Sequence, residues 1–395
     1  MSKKVVVRFP PSPTGNLHIG TARTLLFNFL FAKKHGGKII MRFEDTDKER
    51  SKKEYEENIL EGLKWLGIGY DEGPLKQSER SAVYQKHLQK MLDDGTAYIS
   101  SEPEGESKDV IRFKNPNKKV KFLDVVRGEI EFDTTELKDF VIAKSLEEPL
   151  YHLAVVVDDH EMGITHVIRG EDHISNTPRQ ILIQEAISAA RPVYAHIPLI
   201  LGLDRSKLSK RHGATAVNEY RNKGYLPEAV VNYLALLGWN PGTDQEIFTT
   251  EELIQAFDLD KIQKGGAIFD LKKLDWVNKE HIKRLPLEKQ KELLLESIKN
   301  EPYMVGEPEL DSEQIAWKKS TKAEALTHLE EAKRIIATGK NLMEYAERVG
   351  KGNVLWPVRY ALTGALASPD PLTILEILGK EKSLKRLEKA IIALK

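Results

Sequence analysis

The chain has 395 residues, enough for two to four domains, and 41% of them are hydrophobic, enough for sizeable cores. Its 60 basic and 60 acidic side chains balance, unlike those of proteins that only coat nucleic acid, and the lack of cysteine excludes disulfides and thiolate chemistry. No apolar run approaches the roughly 18 residues that span a bilayer or the pattern of a signal peptide, so we expect a soluble, cytoplasmic protein without a membrane partner.

The first elements along the chain predict a strand–helix–strand unit. The stretch "VVVRF" (5–9) is typical of a short buried strand, and apolar residues then recur at helical spacing from Ile19 to Leu30. The sequence "HGGK" places glycine where a left-handed helix C-cap belongs, and "KIIMRFED" (38–45) reads as the next strand. This order indicates a right-handed βαβ unit on a parallel sheet, followed by a second helix over roughly 51–67.

The middle of the chain contains a β-rich insertion. A polar stretch punctuated by proline and glycine (100–119) opens it, and four strand-like runs follow: "VIRF", "VKFLDVV", "GEIEF" and "DFVIA". We predict two strands around a tight acidic turn for 151–170, a helix for 176–190 and a buried strand for 196–201. Beyond about 215 the pattern is mostly helical, and 301–312 has the composition of a linker.

The loop between the first strand and the first helix, "PPSPTGNLHIG" (10–20), is the first candidate site. Ligands bind open parallel sheets at this edge, where the N–H groups and dipole of a helix start favour phosphate. Glycine at 15 and 20 allows a ligand to approach the backbone closely, and His18 can donate to phosphate oxygens. Taken alone, His18 is more often only a helix cap or a surface residue.

A second candidate site, "KLSKR" (207–211), also follows a strand end. Its three cations are suited to stabilising the charge of a triphosphate during a displacement reaction, although such a run alone is more often a solvated basic loop. Together, "LHIG" and "KLSKR" resemble the paired signatures of class I aminoacyl-tRNA synthetases. Neither a GxxxxGK loop nor a GxGxxG loop occurs, so the usual rival nucleotide sites are missing.

Longer motifs narrow the resemblance to the bacterial glutamyl-tRNA synthetase family. It extends over roughly 4–99, 110–278 and 353–395. The motifs occur in family order: "RFPPSPTGNLHIGTARTLLFN", "RFEDTD", "YHLAVVVDDHEMGITHVIRGEDHISNTPRQ", "LSKRHGA", "GYLPEAVVNYLALLGW" and "FDLKKLDWVN". The related glutaminyl-tRNA synthetases typically have a different proline loop and "RFDDTN" in place of "RFEDTD".

The resemblance implies an α/β fold with a Rossmann-like parallel sheet, an inserted α+β acceptor-binding domain and C-terminal all-α domains. The implied domains are the two catalytic halves, the insertion between them, a stem-contact helical domain and a shortened anticodon-binding domain. Their expected bounds are 1–95, 96–170, 171–235, 236–300 and 301–395 in chain order, with 1–95 and 171–235 as the catalytic halves.

The implied activity is ATP-dependent ligation of L-glutamate to tRNA(Glu) through a glutamyl-adenylate, releasing AMP and pyrophosphate. Mg²⁺ is expected with ATP, and a monomer is expected. Whether tRNA(Gln) is also charged with glutamate stays open. Two alternatives also stay open: a paralogue that glutamylates a modified tRNA base, and a non-catalytic tRNA-binding paralogue, which should have lost His18, Lys210 or Arg8.

The resemblance also implies a role for each matching residue. Around glutamate, Arg8 would pair with the side-chain carboxylate, Ser12 and Glu44 would hold the α-ammonium, and Tyr151 and Arg169 would line the pocket. Two arginines that read carboxylates in this way would reject a neutral amide. Taken singly, each of these residues also has a structural alternative. Arg8 and Arg169 would then be surface charges at strand edges, and Glu44 would pair with a local lysine.

For ATP, the implied contacts are Thr14, His18, Gly20, Lys207 and Lys210. The transition state would be stabilised by Lys207, Lys210 and Arg211, with His18 and Gly20 completing the catalytic set. Asp158 and Asp159 have the look of a metal pair, but we favour a structural role and expect no protein-bound metal.

This chain departs from the family pattern at three places. A cysteine-containing insertion that many members carry after the counterpart of Ala97–Tyr98 is missing, so we expect no zinc. The pocket segment reads "KSLEEPLYH" where "KSDGxPTYH" is usual, which puts the local loop geometry in question. The region from about 290 to 352 is too short for two anticodon-binding subdomains, and Trp317, Trp356 and Tyr360 are expected in a helix-bundle core rather than as base-stacking residues.

Lys210 provides the first test. We predict that Lys210→Ala slows adenylate formation by orders of magnitude, because a cation at the transferring phosphate is lost, while tRNA affinity changes little. Single-turnover kinetics and tRNA binding measure the two effects separately. A normal single-turnover rate would remove Lys210 from the catalytic set.

Overall fold

The structure is a computed structural model, and it describes residues 4–101, 109–209, 213, 215–298, 301–318 and 320–395. The chain forms two compact units, residues 1–284 and residues 285–395. None of the helices in these described ranges combines the length and the apolar character needed to cross a membrane.

The first unit contains all the described strands and helices α1 to α9. The strands are β1 (Val6–Phe9), β2 (Lys38–Phe43), β3 (Glu72–Lys76), β4 (Ala97–Ser101), β5 (Asp109–Phe113), β6 (Lys119–Asp124), β7 (Gly128–Asp133), β8 (Phe140–Ser145), β9 (Glu148–Pro149), β10 (His166–Gly170), β11 (Val193–Ile197), β12 (Ile200–Leu201) and β13 (Ala267–Ile268). The helices are α1 (Ile19–Lys34), α2 (Lys53–Trp65), α3 (Ser81–Asp93), α4 (Tyr151–Glu161), α5 (Thr177–Ala186), α6 (Val217–Asn222), α7 (Pro227–Leu236), α8 (Thr250–Ala256) and α9 (Leu271–Arg284).

Parallel strands form the centre of the first unit. Strands β1, β2 and β3 pair in parallel, as do β10 and β11. Strand β1 also runs beside β10, where the backbone N–H of Thr165 donates to the carbonyl of Val6 at 2.9 Å. The spatial order β3–β2–β1–β10–β11 brings the carboxyl ends of these strands to one edge.

Helix α1 connects β1 to β2 and is buried along most of its length, since it packs on the sheet and on α7 and α8. The predicted left-handed glycine follows its end, with Gly36 at φ 57°. The βαβ unit expected from the sequence is confirmed, because β1 and β2 pair in parallel register from Val6–Lys38 to Phe9–Met41.

The β-rich segment is built from two sets of strands. Strands β4, β5, β8 and β9 form an antiparallel sheet, whereas β6 and β7 form an antiparallel pair. Strand β6 also joins β11 in parallel at Tyr194 and Asp124. This attachment places Asp124 of the β-rich segment beside the parallel sheet.

One prediction for this region is wrong. Residues 151–161 form helix α4 instead of a strand and an acidic turn, and only His166–Gly170 is a strand. The run Leu153–Asp159 is buried on every side, so it lacks the alternation that separates a helix from a strand. Likewise, the predicted strand 196–201 is interrupted, since β11 ends at Ile197 and β12 begins at Ile200.

The second unit is helical. Its helices are α10 (Leu287–Ile298), α11 (Pro302–Val305), α12 (Lys322–Thr338), α13 (Leu342–Val349), α14 (Lys351–Thr363) and α15 (Pro371–Leu394), the last broken at Gly379. The stretch 301–312 is not a linker, because Tyr303 is buried in the core of this unit. Tyr360 is buried there as expected, whereas Trp317 and Trp356 are half-buried and pack on each other with ring centroids 5.1 Å apart.

Candidate active site

A cavity of about 540 Å³ opens at the carboxyl edge of the parallel sheet, beside the start of α1. Every predicted site residue that the structure describes lines it: Arg8, Ser12, Thr14, His18, Gly20, Glu44, Tyr151, Arg169 and Lys207. Lys210 and Arg211 lie outside the described residues. The structure therefore brings together side chains separated by as many as 199 positions in the sequence.

His18 caps helix α1 at one side of this cavity. Its Nδ1 accepts the backbone N–H of Gly20 at 3.0 Å, so the proton of the neutral ring lies on Nε2. Burial lowers the pKa of His18, and the charge of Lys207 lowers it further. His18 thus presents an N–H donor at a helix N-terminus, an arrangement suited to phosphate oxygens.

Gly20 keeps this geometry possible. A Cβ built on Gly20 would lie 3.3 Å from Nδ1 of His18, closer than such contacts normally are. A side chain there would require the His18 ring to shift by a few tenths of an ångström. The glycine is therefore explained by the histidine beside it.

Arg42 of β2 is a fully buried arginine that pairs with three carboxylates beside the cavity. Its guanidinium lies 3.0 Å from Glu44, 2.9 Å from Asp159 and 3.7 Å from Asp158. Burial alone would lower the pKa of Arg42, but the three carboxylates outweigh burial and raise it. Arg42 is therefore a permanent cation that ties β2 to helix α4.

Asp158 and Asp159 both belong to this network. Asp158 accepts hydrogen bonds from Gln77, Arg80 and Tyr84 at 2.7–2.9 Å. Asp159 lies between Arg42 and Arg8, with its Oδ1 3.4 Å from Nε of Arg8. The structural role that we favoured for the two aspartates agrees with these contacts.

The charges of this network balance. It contains three guanidinium groups and three carboxylates: Arg8, Arg42, Arg80, Glu44, Asp158 and Asp159. Burial raises the pKa of Glu44, against the opposing charges of Arg42 and Arg8. Glu44 and Arg8 line the cavity and are the members of the network placed to meet a ligand.

Arg169, near the end of β10, lacks among the described residues an ion pair such as the one that holds Arg8 at the same cavity. It is only 5% exposed, and its hydrogen bonds go to uncharged groups, with Nε 3.1 Å from His196 and Nη2 2.9 Å from Thr177. Among the described residues, no carboxylate lies within 4 Å of it. Burial lowers the pKa of Arg169, as expected for a desolvated cation. An anionic ligand would relieve this cost.

Tyr151 and Lys207 complete the described lining. The hydroxyl of Tyr151 lies 3.0 Å from Nδ1 of His173, and burial lowers the pKa of His173 to about 4. Lys207 lies at the more open side and forms an ion pair with Asp172 at 3.0 Å. Although burial opposes it, the hydrogen bond from Lys207 lowers the pKa of Asp172.

Sequence reasoning missed several residues that shape the cavity. Asp172 and His173 line it, and they lie two and three residues after Gly170, the last residue of β10. Their position after a parallel strand was the signal that could have found them. Arg42 had no such signal, because a charged residue within a strand is ordinarily expected at the surface.

Two family models match the chain. The one described as tRNA synthetases class I (E and Q), catalytic domain, matches residues 4–108 and 99–276. The one described as an anticodon binding domain matches residues 278–391. The chain therefore belongs to this family of class I tRNA synthetases, and the predicted fold class is confirmed.

Individual relatives are glutamate–tRNA ligases. Those of Thermodesulfovibrio yellowstonii and Desulforamulus reducens are 42% and 38% identical to this chain, with 98% of the chain covered in both cases and 100% and 99% of the relative. A solved glutamate tRNA ligase from Elizabethkingia meningosepticum, in complex with its amino acid, matches with a TM-score of 0.81 at 30% identity and covers 100% of both chains. The predicted resemblance to glutamyl-tRNA synthetases is confirmed.

The relatives also contain segments that this chain lacks. The alignment with the Thermodesulfovibrio yellowstonii enzyme runs over 466 positions, whereas this chain has 395 residues. The departures from the family pattern in the sequence had already indicated that this chain is shorter than its relatives.

The buried network provides a stability test. We predict that Arg42→Met lowers the free energy of unfolding by about 3–5 kcal/mol, because three buried carboxylates lose their shared cation. The matched control is Arg50→Met, whose exposed ion pair with Asp47 should contribute no more than about 1 kcal/mol. Urea denaturation of both variants measures the difference. Equal losses in the two variants would show that the network does not stabilise the first unit.

Proposed function

We propose that this protein ligates L-glutamate to tRNA(Glu) with ATP through a glutamyl-adenylate. The observation that carries the proposal is Arg169, a buried cation on the cavity wall without a carboxylate partner among the described residues. Such a group favours an anionic substrate and disfavours a neutral one of the same size. Glutamate and glutamine differ in this respect, and a ligand that leaves a buried group unpaired is strongly rejected.

The amino-acid pocket has the charges that glutamate requires. Glutamate brings two carboxylates and one ammonium, so it needs two cations and one anion. We assign Arg8 to the side-chain carboxylate, Glu44 and Ser12 to the ammonium, and Arg169 with Tyr151 to the remaining wall. Bidentate pairing of guanidinium groups with carboxylates supplies direction as well as energy.

The ATP site would occupy the other side of the same cavity. We assign Thr14, His18, Gly20 and Lys207 to the nucleotide, with the Nε2–H of His18 directed to a phosphate oxygen. Lys207, together with Lys210 and Arg211 as predicted from the sequence, would stabilise the extra charge of the pentavalent phosphorus. His18, Gly20, Lys207, Lys210 and Arg211 are the proposed catalytic set.

Magnesium would enter with the triphosphate. Within the described ranges, no three His, Cys, Asp or Glu side chains are grouped so that they could hold a metal ion. We therefore assign Mg²⁺ no protein ligands and propose no zinc. When bound to ATP, Mg²⁺ would neutralise part of the phosphate charge.

The proposed reaction needs no nucleophile from the protein. The α-carboxylate of glutamate attacks the α-phosphorus of ATP, and the bond to pyrophosphate breaks. A ribose hydroxyl of the terminal adenosine of tRNA then attacks the carbonyl carbon of the adenylate, and AMP leaves. The protein contributes the positions of the reactants and the stabilisation of developing charge.

The tRNA partner follows from the match of an anticodon binding domain model to residues 278–391. We propose tRNA(Glu) as the substrate, and charging of tRNA(Gln) with glutamate is the open extension. We also propose that the protein acts as a monomer. An enzyme of translation acts where tRNA is used, so we propose the cytoplasm.

The test is aminoacylation of purified tRNA(Glu) and tRNA(Gln) with labelled glutamate, with labelled glutamine as the control. We predict charging of tRNA(Glu) with glutamate and no product with glutamine, because the amide leaves Arg8, which is assigned to the side-chain carboxylate, without that anion. Charging of tRNA(Gln) with glutamate as well would indicate relaxed anticodon reading. Absence of glutamate transfer to either tRNA would contradict the proposal and favour the base-modifying or non-catalytic alternative.

A further inference from the structure

The hydrogen bonds of Arg169 fix its orientation. Its Nε donates to Nε2 of His196 and its Nη2 donates to Thr177, which leaves Nη1 as the terminal nitrogen without a hydrogen bond among the described residues. The two elements that present Arg169 and His196 are β10 and β11, which pair in parallel with Arg169 and His196 as register partners. Their side chains therefore share one face of the sheet, side by side.

The side of the His196 ring that faces away from Arg169 is also fixed by a hydrogen bond. Its Nδ1 lies 2.6 Å from Oδ2 of Asp124, whose carboxylate also accepts the backbone N–H groups of His196, Val126 and Arg127. His196 and Asp124 are 0% and 1% exposed. Asp124 reaches this position because β6 joins β11 where Asp124 pairs with Tyr194, two residues before His196.

The ring of His196 contacts Arg169, Thr177 and Asp124, and the charged groups among these leave it one protonation state. A carboxylate such as Asp124 can only accept, so Nδ1 must carry a proton. A guanidinium such as Arg169 can only donate, so Nε2 must be bare. A neutral ring meets both demands, and burial lowers the pKa of His196 in the same sense, against the opposing effect of Asp124.

This arrangement has a consequence for charge. A carboxylate in direct contact with Arg169 would orient the guanidinium equally well, but it would also neutralise it and weaken its attraction for a substrate anion. The neutral imidazole orients Arg169 and keeps the carboxylate of Asp124 on the far side of the ring. The cation therefore stays available to a ligand in the cavity.

We propose that His196 and Asp124 are positioning residues for glutamate, which hold Arg169 in place through a neutral acceptor and preserve its charge for the substrate. The inference rests on the proposed function, because Arg169 belongs there to the glutamate pocket. Neither residue lines the cavity in the described structure, so both act through Arg169 and not on the substrate.

Two substitutions of His196 test the contributions of its two ring nitrogens separately. In His196→Asn, the amide nitrogen can replace Nδ1 and still donate to Asp124, but the shorter side chain gives Arg169 no acceptor. In His196→Gln, the amide oxygen can replace Nε2 and accept from Arg169. A role confined to packing against Asp124 would favour Asn, whereas the proposed role favours Gln.

The readout is kcat and KM for glutamate and for ATP in aminoacylation of tRNA(Glu). We expect His196→Asn to raise the KM for glutamate by about tenfold or more with little change in the KM for ATP, and His196→Gln to stay closer to the unaltered protein. The matched control is His166→Asn, a half-buried histidine at the start of β10, the strand that carries Arg169, and it lies outside the cavity lining. Its glutamate KM should be unchanged.

The outcomes are distinguishable. Equal changes in the KM for glutamate and ATP, or a better result for His196→Asn than for His196→Gln, would overturn the inference. If His196→Asn does not fold, Asp124→Asn replaces it, and an unchanged glutamate KM there would overturn the inference too. Failure of the unaltered protein to charge glutamate would instead refute the proposed function and this inference with it.

Discussion

The contact on which the site depends most is the buried guanidinium of Arg42. It joins Glu44 at the end of β2 to Asp158 and Asp159 in the last turns of α4, so two elements far apart in sequence must meet at a fixed distance. A buried ion pair is stable only when every partner is present and well placed. The position of Glu44 at the cavity wall is thus a consequence of a charge that never meets the substrate.

The balance of charge also distinguishes the residues that support the cavity wall from the residues proposed to bind the substrate. The network around Arg42 is neutral as a whole, whereas Arg169 has hydrogen-bond partners but no counter-ion among the described residues. A cavity wall with a buried cation that lacks a counter-ion favours a ligand with a net negative charge. Glutamate carries that charge and glutamine does not, so selectivity would arise from the pocket's own electrostatics.

Local sequence signals predicted the parallel sheet and the α1 cap, whereas the family resemblance supplied most of the predicted residues of the cavity lining. Helix α4 was missed, because a continuous buried run carries no periodicity and its two aspartates suggested a turn. The roles of Arg42 and His196 were also not predictable from the sequence. Their meaning depends on partners such as Asp158 and Asp124, and those pairings exist only after distant strands and helices have packed.

The most direct measurement is a crystal structure with L-glutamate and a non-hydrolysable ATP analogue bound. We predict one carboxylate of glutamate within hydrogen-bonding distance, about 2.7–3.0 Å, of Arg169 and the ammonium beside Glu44. The phosphates should lie at Nε2 of His18. Glutamate bound with neither carboxylate on Arg169 or Arg8 would contradict the account, whatever the activity of the protein.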